Sequence, residues 1–235
     1  MKRLSSDRLY GLLIAALAVA LLLTAVIGVQ YVYDGRTLAY DLAAGLVLAV
    51  HLLVLLWIWP RGSQSQLAHV RQIGLWTGLG LGLLWAAEIS YNNVLAPPLP
   101  GRDIVDDVFW GLIALGLLIL AAWMAYRHGG ASGVWAGTWG GFGSGLLACL
   151  VAQGMVVFGM ALITHDPLNV QEWTAIASSS GAPSMSAYFA FETLAGALLH
   201  LIVLGTLMGL LLGGVGGLVG GLLRLVLRKP EPNRR

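Results

Sequence analysis

Six apolar stretches, each long enough to cross a lipid bilayer as a helix, dominate this chain of 235 residues. A hydrocarbon core of ~30 Å requires about 20 apolar residues in helical form. Backbone groups inside a membrane must be paired internally, and stretches of this length are typical of helices rather than of barrel strands. The sequence therefore predicts an all-α transmembrane bundle with spans at Leu9–Gln30, Leu38–Trp59, Gln72–Asn93, Ile104–Tyr126, Gly133–Thr164 and Ser186–Leu223.

The charged residues segregate between the two ends of these spans. Eleven of the 13 Lys and Arg residues lie at the chain termini or in the second and fourth connections, whereas nine of the 11 acidic residues lie towards the other end. By the positive-inside rule, both termini are predicted to be cytoplasmic, in a multi-pass protein of the cell (inner) membrane. Aromatic residues fit the predicted outer boundary, at Tyr31, Tyr33, Tyr40, Tyr91, Trp110, Trp173 and Tyr188.

Short connections predict a single transmembrane domain made of three antiparallel hairpins, at residues 9–59, 72–126 and 133–223. A basic cytoplasmic tail, 224–235, follows them and is better explained by topology and lipid headgroups than by nucleic acid. The longest outer connection, 165–185, has room for a short interfacial helix at about 170–177.

The final apolar run is longer than one crossing requires. Between Glu192 and Arg224 it has 31 uncharged residues, which would form a helix of about 46 Å. We expect strong tilt, a break among Gly213 to Gly221, or a re-entrant or interfacial tail. A seventh crossing is rejected because it would place the basic tail outside.

Glycines recur every four residues on three of the spans. At 3.6 residues per turn such spacing forms a nearly straight groove, which lets a neighbouring backbone approach closely. Tight helix packing, within the chain, in a homo-oligomer or against a partner membrane protein, is the expected use; a pore lining or a hinge is the alternative. The stripes are Gly74, Gly78 and Gly82; Gly133, Gly137, Gly141 and Gly145; and Gly205, Gly209, Gly213, Gly217 and Gly221.

A cluster of oxygen-bearing side chains flanks the second outer connection, and ionisable groups near a membrane are functional candidates. Three carboxylates at i, i+3 and i+4 share a helix face, and Glu88 and Asn92 lie across a proline-rich loop from them. Such oxygens suit a divalent or organic cation; for the three aspartates, stabilisation by the helix dipole is the alternative. The predicted metal ligands are Glu88, Asn92, Asp103, Asp106 and Asp107, and Asp41 and Glu192 extend the acidic vestibule.

Two histidines and one glutamine are the remaining polar candidates inside the spans. His51 and His200 lie at similar depths on separate helices, as bis-imidazole ligation of haem b would require; hydrogen bonding to neighbouring helices is the alternative. Gln153 continues a glycine stripe and is expected to bond inside the bundle. The single Cys149 excludes an intrachain disulfide.

Three functional hypotheses follow. The first is binding or transport of a cation or small cationic solute through the acidic vestibule, and the second is a non-catalytic subunit that packs against partner membrane proteins. The third is a haem-bearing redox subunit. No nucleotide-binding loop, zinc motif or nucleophile elbow occurs, so the sequence does not favour an enzyme.

Overall fold

A computed structural model of the protein describes residues 6–61, 65–91 and 102–227. Throughout these ranges the regular structure is helical, and six helices are long and apolar enough to span a membrane, which confirms the predicted all-α, six-span class. The hairpin arrangement and the sides of the termini remain predictions. The helices are α1 (Ser6–Tyr31), α2 (Gly35–Arg61), α3 (Ser65–Ser90), α4 (Arg102–His128), α5 (Gly130–Phe158), α6 (Met160–His165), α7 (Pro167–Ser180), α8 (Met185–Leu199) and α9 (Met208–Leu227), with a π-helical segment, His200–Leu207, between the last two.

Helix α5 lies at the centre of the bundle. It contacts α1, α3, α4, α8, the π-helical segment and α9. In its most apolar stretch 61% of the residues are buried, compared with 33% or less in the other five spans. The polar groups of α5 are therefore surrounded by protein, whereas large parts of the other spans face outwards.

The glycine stripes bring α5 into backbone contact with its neighbours. A Cβ atom added to Gly137 would lie 2.5 Å from the Cα of Gly213, and one added to Gly145 would lie 2.9 Å from the Cα of Gly205. On the other side of α5, a Cβ at Gly74 would lie 2.8 Å from the carbonyl oxygen of Ala136. These glycines serve packing inside the chain, so an interface with another protein would have to use other surfaces.

The C-terminal span is helical from Met185 to Leu227 and departs from α-geometry at residues 200–207. The break considered among Gly213 to Gly221 does not occur, because α9 continues through these glycines. Thr206 illustrates the wider π spacing, since its hydroxyl donates to the carbonyl oxygen of Leu201, five residues earlier, at 3.0 Å. Such segments are uncommon and often coincide with functional sites.

The connection between α5 and α8 folds into two short helices. The expected helix at 170–177 is present and extends over the whole of α7. Asp166 caps it by accepting a hydrogen bond from the Leu168 amide at 2.9 Å, and Pro167 occupies the first turn, where its missing amide proton costs nothing. Gly181 ends it with φ of 72°, and Ser184 then caps α8.

Candidate functional site

A polar cavity of about 420 Å³ lies between the α1–α2 connection, the end of α7 and the start of α8. We call it the aromatic–carboxylate cavity, because aromatic rings and two carboxylates dominate its lining. Its size falls within the usual range of small-molecule sites, ~300–1,000 Å³. It is lined by Tyr33, Asp34, Arg36, Thr37, Tyr40, Ser179, Ser180, Tyr188, Phe191, Glu192 and Ala195.

Hydrogen bonds between Asp34 and Thr37 fix the α1–α2 side of this cavity. The Thr37 amide and hydroxyl both donate to Oδ1 of Asp34 at 2.7 Å, and the Asp34 amide lies 3.1 Å from the Thr37 hydroxyl oxygen. These bonds from Thr37 hold the pKa of Asp34 below its usual 3.8. Asp34 therefore carries a negative charge at neutral pH, and its other carboxylate oxygen, Oδ2, has no part in these bonds.

Aromatic contacts position the rest of the lining. Tyr33 meets Phe191 edge to face, with the ring centroids 6.3 Å apart, and the Arg36 guanidinium lies 5.8 Å from the centroid of Tyr40. Burial, followed by the charge of Asp34, raises the pKa of Tyr33, which keeps its hydroxyl protonated. The two carboxylates and Arg36 give the lining a net charge of −1 at neutral pH (−2 + 1).

Helix α7 is attached to this cavity through Tyr188. The Tyr188 hydroxyl donates to a carboxylate oxygen of Glu172 at 3.1 Å, and its ring lies 6.0 Å from that of Trp173. Glu172 adds a further negative charge beside the cavity. The cavity lining therefore comes from three segments of the chain, namely residues 33–40, the end of α7 and α8.

Of the predicted acidic vestibule, the structure places Glu192 in this cavity and Asp41 beside it. Asp41 follows Tyr40 on α2 and directs its carboxylate against Gly28 of α1, where an added Cβ atom would overlap it. Elsewhere, Glu88 is buried on α3, and Asp107 is exposed on α4. Asn92 lies outside the described residues, and Asp103 and Asp106 belong to α4, but nothing of their side chains is described.

Gln153 lies at the centre of the bundle, fully buried, as the sequence suggests. Its Nε2 atom donates to the Thr24 hydroxyl of α1 at 2.9 Å, and that hydroxyl donates in turn to the Ala20 carbonyl oxygen at 3.0 Å. This interaction connects α5 to α1 one turn below the contact of Asp41 with Gly28.

The two histidines have different surroundings. His51 stacks parallel to Phe142 with centroids 6.1 Å apart, and its Nε2 lies 3.5 Å from the Thr206 hydroxyl, beside an apolar crevice of about 100 Å³. His200 instead meets Trp85 edge to face at 4.7 Å. Each Nδ1 lies within 2.8 Å of a backbone carbonyl oxygen four residues earlier and must donate to it.

The contact of His51 with Thr206 matches the alternative of hydrogen bonding to a neighbouring helix, whereas both Nδ1 bonds lie within the histidine's own helix. Ligation of one haem by both Nε2 atoms remains a prediction, which a Soret band from the purified protein would test.

The described side chains contain no group of three or more His, Cys, Asp or Glu residues that could hold a metal ion. No protein-family model matches the chain, and neither a curated protein nor a solved structure shows significant similarity to it.

The sequence predicts Glu192 as a site residue but does not predict its neighbours in the cavity. A charged turn explains Asp34, and a position at the membrane interface explains the tyrosines, so neither pattern indicates a site. A usable signal was present, because Tyr33, Asp34, Arg36 and Tyr40 concentrate charge and aromatic surface within eight positions.

Proposed function

We propose that the chain is a multi-pass protein of the cytoplasmic membrane that binds a small organic cation in the aromatic–carboxylate cavity. The observation that carries the proposal is the lining itself, in which four aromatic rings surround two carboxylates within about 420 Å³. Ammonium groups bind the faces of aromatic rings through the ring quadrupole and are attracted by carboxylates nearby.

An organic cation fits this lining better than a divalent metal ion does. Ca²⁺ and Mg²⁺ take six or more oxygen ligands, whereas Asp34 already uses Oδ1 to accept two hydrogen bonds from Thr37. Aromatic faces complete the cavity in place of further carboxylates. Tyr33, Tyr188 and Phe191 offer surface that a methylated or alkylated ammonium can bury.

The charge distribution of the chain supports an outer position for the cavity. If the basic connections and termini are cytoplasmic, the cavity opens on the outer side of the membrane. Its carboxylates, together with Glu172, would then concentrate cations from the external medium.

Binding of tetramethylammonium to the full-length protein in lipid nanodiscs tests the proposal. We expect saturable binding by calorimetry, accompanied by a change in tryptophan emission because Trp173 packs on Tyr188. Glu192→Gln should weaken binding about tenfold through loss of a facing charge. Arg36→Gln should tighten it about threefold, because it removes the cation that competes for Tyr40.

Asp107→Asn is the matched control, since it removes an exposed carboxylate that does not line the cavity. It should leave tetramethylammonium binding unchanged. The proposal fails if no saturable binding occurs, or if Asp107→Asn abolishes binding while Glu192→Gln preserves it. The second result would return the site to the predicted Glu88 and Asp107 cluster.

A further inference from the structure

Two inaccessible side-chain oxygens between α1, α2 and α5 have no hydrogen-bond partner among the described residues. They are Oδ1 of Asp41 and Oε1 of Gln153. Buried polar atoms are nearly always paired in folded proteins, so each such atom indicates an interaction that the protein groups do not supply. Both atoms are acceptors, and both therefore require a donor or a cation.

The orientation of Gln153 follows from its bond to Thr24. The Thr24 hydroxyl has one proton, which it donates to the Ala20 carbonyl oxygen, so it can only accept from Gln153. The Nε2 atom of the amide must face Thr24, as observed at 2.9 Å, and Oε1 must point away from it. Gln153 is 0% exposed, so bulk water does not reach this oxygen.

Asp41 reaches the same strip of α1. Its carboxylate lies against Gly28, in the space that a side chain at this position would fill. Gly28 and Thr24 are four residues apart on one helix face, about 6 Å along the axis at ~1.5 Å per residue. The carboxylate and the glutamine amide therefore approach α1 at levels about 6 Å apart.

Asp41 is half-buried and Gln153 is fully buried, and both lie within one turn of buried apolar residues. Three apolar residues on these helices are buried in one hydrophobic cluster. Each lies three residues beyond a polar one: Ile27 after Thr24, Ala44 after Asp41 and Val156 after Gln153. In this environment a carboxylate without a cationic partner is costly, and a bound cation is attracted more strongly than in water.

We infer that Asp41 and Gln153 bind a single Na⁺ ion between α1, α2 and α5. One carboxylate neutralises one monovalent charge, whereas a divalent ion would leave a net positive charge in an apolar region. Ions of this size bind oxygens at about 2.3–2.6 Å, and the Asp41 carboxylate and the Gln153 amide meet α1 one turn apart, so one ion can lie between them. The inference stands independently of organic-cation binding.

Thermal unfolding of the full-length protein in nanodiscs tests this site, without any organic cation present. Solutions of NaCl and CsCl at equal total chloride cancel general ionic screening, and Cs⁺ is too large for the pair of oxygens. We expect Na⁺ to raise the melting temperature in proportion to the logarithm of its concentration once the site is filled, by roughly 3–5 °C at ten times its dissociation constant. Equal melting temperatures in the two salts would overturn the inference.

Two variants locate the response. Asp41→Asn and Gln153→Leu should each abolish the difference between Na⁺ and Cs⁺. Gln153→Leu should retain the stability of the unsubstituted protein in CsCl, because it removes an unsatisfied oxygen and leaves Thr24 bonded to Ala20. Persistence of the Na⁺ response in both variants would refute the assignment to these residues.

Glu192→Gln separates the two proposals. It should keep the Na⁺ response while weakening tetramethylammonium binding. Should a variant fail to fold, binding of radioactive ²²Na⁺ to the unsubstituted protein, with excess Na⁺ but not Cs⁺ as competitor, decides the question. Absence of such binding counts against the site.

Discussion

Replacing Gly137 with alanine tests whether the glycine stripes hold α5 against the C-terminal span. The new Cβ atom would lie 2.5 Å from the Cα of Gly213, 2.6 Å from the carbonyl oxygen of Gly209 and 2.9 Å from the amide nitrogen of Gly213. Carbon atoms in ordinary contact are ~3.5–4.0 Å apart, so the two backbones must separate by about 1 Å. No flexible side chain can absorb this shift, because every atom in the way belongs to the backbone.

The expected cost can be bracketed with a control on the same helix. Overpacking in a close-packed interior costs ~1–3 kcal/mol. An alanine at Gly154 would meet nothing within 4 Å and should gain ~0.5–1 kcal/mol from its higher helix propensity. Because Gly137→Ala gains the same propensity, it should be less stable than Gly154→Ala by the overpacking cost alone, ~1–3 kcal/mol.

Unfolding of both variants by SDS in mixed micelles, followed by tryptophan emission, measures this difference. A thermal scan of the same samples should show a gap of roughly 2–12 °C. Equal stability of Gly137→Ala and Gly154→Ala would show that the α5 stripe is not in backbone contact with α9, and the central position of α5 would have to be reconsidered.

Two further predictions concern the cap of α2 and the aromatic cluster at His200. Because hydrogen bonds from Thr37 lower the pKa of Asp34, the folded state gains stability that is complete above the unfolded value of 3.8 and disappears as the pH falls through the folded value. The melting temperature of the unsubstituted protein should thus fall further between pH 5 and pH 2.5 than that of Asp34→Asn, and parallel pH profiles would contradict this cap. Trp85→Ala should cost ~3–5 kcal/mol in SDS unfolding, because Trp85 is 2% exposed and contacts both Trp110 and His200; a loss below ~1 kcal/mol would contradict that packing.

Hydropathy alone predicted the six spans, because crossing a bilayer imposes a minimum length and apolar character on each segment. The partners of the glycine stripes were not predictable in the same way. Spacing shows that Gly137 and Gly141 share a helix face, but it cannot indicate whether that face meets another span or another protein. The structure resolves this point by pairing them with Gly209 and Gly213.

The candidate sites were predictable only in part for a related reason. Glu192 is a charge at the edge of a span and Gln153 is a polar group within one, and both kinds of residue are functional candidates on sequence grounds. Asp34 and Tyr33 are not candidates on the same grounds, because a charged residue in a turn and a tyrosine at the membrane interface are both common without a binding site. They line a cavity only because the end of α7, more than 130 residues later in the chain, lies beside them.

The central position of α5 imposes an order on the assembly of the protein. Its glycine faces are covered by α3, which is synthesised earlier, and by the π-helical segment and α9, which are synthesised later. Until α9 is made, one groove of α5 must therefore be filled by lipid tails or by the insertion machinery. The native bundle forms only after α9 has entered the membrane, and truncation before α9 should leave a chain that membrane proteases recognise.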